Sequence, residues 1–184
     1  MFELKSHVVY PGHGVALVED IIERTVSGTV LSFLKLSFIF KDMTILVPLY
    51  NVASIGIRQP SSEQEVINAL NELEKVPEKR LESIDFTPSG WNRRHKEYQA
   101  KIQSGNIFEI AKIYRDLMHI AQQKELSFGE RNVLQVTEEL VMQEIQIVKN
   151  IPQDDVIQLL RLPFKRFTFY ERMVPHQEAT TPTL

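Results

Sequence analysis

The chain has 184 residues, 43% of them hydrophobic and 24% charged, with a formal net charge of −3 at pH 7. That is enough apolar material for one large or two small packed domains, and it excludes wholesale disorder. The absence of cysteine excludes disulfides, thiolate metal sites and a cysteine nucleophile, and the mild acidity argues against indiscriminate coating of nucleic acid.

The N-terminus, Met1-Phe2-Glu3-Leu4-Lys5, lacks the basic region and apolar run of a signal peptide. No stretch approaches the ~18 uninterrupted apolar residues of a membrane span. A cytoplasmic location without membrane contact is the expectation.

The first sixty residues read as strands. Val8-Val9-Tyr10 is a short β run stopped by the turn Pro11-Gly12-His13-Gly14. Val15 to Ile22 forms the next strand, and Ser27-Gly28 is a hairpin signal. From Val30 to Phe40 the pattern partly alternates, with Leu34, Leu36 and Phe38 on one face and Lys35 and Ser37 on the other. Met43 to Val47 is a fourth strand ended by Pro48, and Ile55-Gly56-Ile57 a fifth. Short strands joined by tight turns predict a small, curved barrel or sheet. Such a domain offers a strand edge that can pair with another protein, unless the following helix covers it.

Pro60-Ser61-Ser62 marks a boundary, beyond which the apolar period changes from two to about 3.6. Ser62 and Glu65 fit a capping box for a helix over 62–76 carrying Val66, Ala69, Leu70 and Leu73. Lys75 to Pro88 reads as a polar linker. A second helix spans about Gly90 to Ser104, with Trp91, Tyr98 and Ile102 on one face. Asn106 with Glu109 and Ser127 with Glu130 cap two more, and Asp154 to Leu162 is a short fourth. Phe164 to Leu184 mixes aromatics and charge, and its last eight or so residues read as disordered.

Signs of catalysis are lacking. The five histidines form no i,i+4 pair or HExxH pattern, and no nucleophile elbow, Walker loop or dinucleotide fingerprint occurs. His13 reads as a turn residue bonded to local backbone. Glu138-Glu139 reads as a solvated helix face. The sequence offers no catalytic residue, no metal ligand set, no cofactor and no small-molecule substrate.

Binding features are stronger. Residues 91–105 carry four basic groups against one acid, a local +3 in an acidic chain. Within them Trp91-Asn92-Arg93-Arg94-His95-Lys96 holds the only tryptophan, at the start of a helix announced by Thr87-Pro88-Ser89-Gly90. Two readings are open for Trp91. It is a core residue with solvated arginines behind it, since Trp is usually well buried. Or it is a wedge pressed against a base step, with Arg93, Arg94 and Lys96 straddling the phosphates. A basic patch this small suits a protein brought to DNA by a partner.

Several blocks, in order, identify a resemblance. Val8-Val9-Tyr10-Pro11-Gly12-His13-Gly14-Val15, Met43-Thr44-Ile45-Leu46-Val47-Pro48 and Ile55-Gly56-Ile57-Arg58 resemble the N-terminal module of the CarD/CdnL transcription regulators of bacteria. Trp91 to Lys96, Lys101 to Asn106, Tyr114-Arg115-Asp116-Leu117 and Leu126 to Arg131 resemble its helical C-terminal module. The similarity covers about residues 1–148.

The resemblance implies an α+β multidomain protein: a small Tudor/SH3-like curved β domain, shared with the transcription-repair coupling factor, followed by an all-α helical domain. It implies a polymerase-interacting domain over 1–60, a DNA-contacting domain over 61–163 and a partly disordered extension over 164–184. The β domain would dock on the RNA polymerase β subunit. Trp91 would wedge into the minor groove of promoter DNA at the upstream edge of the bubble, with Arg93, Arg94 and Lys96 on phosphates, and so stabilise the open complex.

Relatives carry two arginines on the polymerase-contacting surface. Arg24 matches the first, while Leu46 stands at the second, beside Val47 and Pro48. That departure implies a remodelled contact or a different orientation. The expected protein is a non-enzymatic regulator of transcription initiation, located with the nucleoid through RNA polymerase. The competing reading is a protein-only polymerase adaptor whose helical domain binds another protein.

Overall fold

The computed structural model describes residues 2–77 and 83–165. Four antiparallel strands come first, in sheet order β1-β2-β3-β4: β1 (His7–Tyr10), β2 (Gly14–Val26), β3 (Thr29–Phe38) and β4 (Thr44–Pro48). β2 and β3 form a hairpin whose tip, Ser27-Gly28, takes positive φ at both residues (51° and 81°). Such a turn matches the twist of the flanking strands. β2 is longer than the strand read from sequence, because it passes through a bulge between Val18 and Asp20 instead of stopping at Ile22, whereas β3 ends at Phe38 rather than Phe40. The bulge bends the strand and helps curl the sheet. One face buries Val8, Ala16, Val18, Leu34, Leu36, Phe38, Val47 and Ile57.

The expected fifth strand does not form. Leu49–Asn51 is a 3-10 turn and α1 (Val52–Ile55) a single helical turn, closed by Gly56 at φ 82°. Only Arg58 pairs in strand fashion, with Val9. Glycine takes the left-handed cap conformation readily, which favours closing the turn over extending the chain.

The helices follow their caps. α2 (Glu63–Leu73) carries the complete Ser62/Glu65 capping box. α3 (Pro88–Gln103) begins at Thr87, which accepts from Gly90 N–H, with Pro88 in the first turn. α4 (Ile107–Gln123) begins at Asn106, α5 (Phe128–Lys149) at the Ser127/Glu130 capping box, and α6 (Gln153–Arg161) follows Pro152. Their apolar faces close on one core around Tyr114, Leu117, Met118, Val141, Ile145, Val156 and Leu160. Phe164 joins it, edge-on to Tyr114 and His119. The other aromatics of the C-terminal segment, and its expected disorder, lie outside the described residues.

Buried charges are paired. Arg115 on α4 bridges Glu72 on α2 and Asp116. Glu138, expected on a solvated face, accepts instead from Arg161 at 2.8 Å and from the Tyr114 hydroxyl at 3.1 Å, tying α5 to α6 and α4.

Sheet and helices meet through polar groups. Gln143 on α5 accepts from Val15 N–H at 3.2 Å. Glu144 accepts from both terminal nitrogens of Arg58 (2.7 and 2.8 Å) and from Ser61 N–H (2.7 Å), while Arg58 Nε donates to the Gly105 carbonyl at 2.9 Å. Gly14, at φ 101°, lets Gln143 approach, since a Cβ there would lie 1.9 Å from Oε1.

Candidate nucleic-acid and polymerase interfaces

Two surfaces carry the residues singled out in the sequence. On the β module, β1 is partly covered by Arg58, whereas β4 pairs only with β3 among the described residues. α2 packs chiefly on α4 and α5 rather than over the sheet. Phe38 N–H donates to the Met43 carbonyl, so alternation directs residues 43, 45 and 47 toward β3. The backbone N–H and C=O groups of Thr44 and Leu46, and the C=O of Pro48, therefore face outward.

Side chains on this module divide by face. Val47 is buried in the sheet core. Leu46 lies on the other face beside Lys35, which pairs with Glu19 at 2.7 Å. Phe33 opposite Pro48, and Arg24 opposite Leu31, share that outer face. Arg24 and Leu46 are thus about four residues apart along β3, on the order of 13 Å. Arg24 is exposed, and Leu46 and Pro48 are half-buried.

On the helical module, the first turns of α3 and α5 lie side by side. Trp91 is half-buried and packs against the helical core with Tyr98. Burial, the largest influence on Tyr98, pushes its pKa up to about 12, so it remains a neutral packing group. The indole edge rests on Gly129, where an added Cβ would come within 2.6 Å of Cζ2. His95 stacks obliquely on the indole with ring centroids 5.2 Å apart.

The three basic residues do not act alike. Arg93 is 69% exposed and, among the described residues, makes a 3.7 Å contact with Asp85. Lys96 is exposed. The Arg94 side chain is only 12% exposed and is directed inward. It bonds Glu130 at 2.9 Å and the Asp85 carbonyl, with its guanidinium 5.2 Å from the Phe86 ring and 5.7 Å from Trp91. Burial pushes the Glu130 carboxyl up, but the Ser127 and Lys124 bonds together bring it below the ordinary value. The Asp85 carboxyl is also lowered, mainly by hydrogen bonds from Thr87. The result is a half-open indole braced on one side, beside two exposed cations.

Sequence reasoning named Glu130 only as a helix cap and missed its bond to Arg94, the seat at Gly129, the role of Asp85 and the Arg58–Glu144 junction. One signal was available for Glu144. It recurs at core spacing after Thr137, Leu140 and Val141, where a charged residue calls for a buried partner.

A cleft of about 760 Å³ lies between α2 and the α3–α4 turn and includes Arg58, Glu65, Asn68 and Asn106. Its Arg58 is engaged by Glu144 and its Glu65 by the capping box. Among the described residues no group of three or more metal-ligating side chains occurs, and no helix is long and apolar enough to cross a membrane.

Comparison with known proteins bears on both surfaces. Residues 2–60 match the family model described as "CarD-like/TRCF RID domain", and residues 80–161 match "CarD, C-terminal domain". The chain belongs to the CarD family. A protein of Bacillus subtilis (strain 168) named "Putative transcription factor YdeB" is 28% identical over 156 residues, spanning 85% of this chain and 97% of that protein. The CarD family consists of non-enzymatic transcription factors, and its N-terminal domain is of an RNA polymerase-interacting type. This CarD-family chain is accordingly a regulator of transcription that acts through RNA polymerase.

Proposed function

We propose that the chain stabilises the open promoter complex, with Trp91 wedged in the minor groove at the upstream edge of the bubble. Residues 1–60 form the docking module for the polymerase β subunit, and residues 61–163 the DNA-contacting module. Arg24, Leu46 and Pro48 share the docking face, with the outward backbone groups of β4, while Val47 holds the strand from beneath. Leu46 makes this contact more apolar than one built on two arginines. Arg93 and Lys96 hold phosphates, and Arg94 acts by fixing Trp91. The complex is expected in the cytoplasm, on the nucleoid.

One observation carries this reading: the indole is half-exposed and braced by Gly129 and Arg94 on a rigid helix start, beside two outward cations. Unstacking a base step costs a few kcal/mol. A braced wedge therefore acts where strands are already parting, and it favours open complex over closed duplex. Weak intrinsic DNA affinity is offset by the high local concentration that docking on polymerase gives.

The test is the lifetime of an open complex on cognate RNA polymerase after competitor challenge. Wild type should lengthen it and folded Trp91→Ala should not. The indole's partial burial favours a second reading, a protein-only adaptor in which Trp91 is core. In that case Trp91→Ala unfolds the helical module, and charge reversal at Arg93 and Lys96 leaves transcription unchanged.

A further inference from the structure

Phe128 is the first residue of α5 and is 81% exposed. The corresponding first residue of α4, Ile107, is buried in the core, so an apolar side chain at a helix start is here normally used for packing. Phe128 contributes almost nothing to the core. A single exposed phenylalanine is unremarkable in itself. Its setting is not. Its chain neighbour, Gly129, is the platform on which the Trp91 indole rests. Glu130, two residues on, binds Arg94 and Lys124 at 2.9 and 3.2 Å, locking the two helix starts together.

The surroundings suit a polyanion. Arg93 and Lys96 project from α3, and the Arg131 side chain on α5 is 43% exposed, donating to the Leu126 carbonyl at 2.8 Å with a 3.4 Å contact to Glu125. Phe86, another exposed aromatic at this end, is already engaged by the Arg94 guanidinium at 5.2 Å and the Lys124 ammonium at 4.4 Å from its ring centroid. Phe128 is left as the uncommitted ring. Aromatic side chains flanked by cations are what bind single-stranded nucleic acid, because every base presents a π face.

We propose that Phe128 is a second DNA-contacting residue, stacking on an unpaired nucleobase next to the step into which Trp91 is wedged. This rests on the open-complex reading above and adds to it a strand-specific contact. The wedge separates the pair, and the neighbouring ring holds one released base, so reannealing must break both contacts.

The experiment uses full-length protein, cognate polymerase and promoter DNA with 2-aminopurine at successive positions of the upstream bubble edge. Phe128→Ala, Phe128→Leu, Phe128→Tyr and Trp91→Ala are compared with wild type. Because Phe128 is exposed, the three Phe128 variants should keep the wild-type melting temperature and Trp91 emission.

One lost stack predicts a roughly fivefold or greater drop in the lifetime gain for Phe128→Ala. Phe128→Leu should lose most of the gain and Phe128→Tyr little. Fluorescence at one position should be quenched by wild type and recovered with Phe128→Ala. If Trp91→Ala abolishes the gain while Phe128→Ala keeps it, the stack is refuted and the wedge stands. A Phe128→Leu variant equal to wild type also refutes stacking. Loss of lifetime without any 2-aminopurine change would mean that Phe128 touches polymerase, and would overturn the proposal. If neither Trp91→Ala nor Phe128→Ala has an effect, the open-complex reading itself fails, and the stack with it.

Discussion

Replacing Glu144 with alanine should loosen the junction between sheet and helices while leaving each intact. The side chain of Glu144 is 4% exposed and accepts three short hydrogen bonds, two from Arg58 and one from Ser61 N–H. Removing one member of a buried ion pair costs about 3–5 kcal/mol, because the other charge stays behind. Arg58 is 29% exposed and retains the Gly105 and Gln59 carbonyls, which points to the lower end, about 3 kcal/mol. That is about a 150-fold shift from closed to open junction. It corresponds to a fall of about 6–12 °C in the melting temperature of a chain this size. The chain has no cysteine, so spin labels on single cysteines introduced at exposed Ser54 and Gln99 report the distance between modules cleanly. Glu144→Ala should broaden that distance distribution. Exchange of the charges, Arg58→Glu with Glu144→Arg, should narrow it again in part. An unchanged melting temperature and an unchanged distribution would refute the reasoning. If the proposed function holds, the loosened variant also loses open-complex lifetime, since the junction fixes how far Trp91 lies from the docking edge.

Gly129→Ala improves helix propensity by about 1 kcal/mol yet drives a methyl into the indole. Trp91 emission should shift to the red and the lifetime gain should fall, with little change in melting temperature. Unchanged emission would mean that the ring is not seated there. Arg94→Ala should destabilise the helical module toward the low end of ~3–5 kcal/mol, because Glu130 retains Lys124 and Ser127, whereas Arg93→Ala and Lys96→Ala should melt as wild type. Equal melting of all three would refute the inward role of Arg94. His119 gives a pH dependence: burial, reinforced by Arg115 and opposed by Asp116 and the Lys75 backbone, lowers its pKa from 6.5. The unfolded chain then takes up this proton first. Stability is full above about pH 6.5 and falls as pH drops through the folded value. His119→Asn should flatten denaturant-measured stability between about pH 7 and 5, and an unaltered slope would assign the change elsewhere. Glu72 and Glu130, held low by their partners although burial raises them, add a second loss below about pH 4.5.

The amino-acid sequence alone determined what depends on neighbours along the chain. Ser62/Glu65, Thr87, Asn106 and Ser127/Glu130 mark helix starts because a cap is satisfied within three residues. Ser27-Gly28 marks the hairpin because turn geometry is set by two φ angles. The ordered motif blocks also identified the family and the β-then-α architecture. Partners distant in sequence were decided only by the tertiary structure. Ile55-Gly56-Ile57 has strand composition, but it closes a helical turn because Gly56 takes a left-handed cap and Arg58 alone reaches Val9. Arg93 and Arg94 are alike in sequence. They part because a 100° step along a helix turns one to water and the other toward Glu130, 36 residues away. Glu144 meets Arg58 across 86 residues. Such pairings depend on which faces the packed core brings together, and local pattern does not encode that.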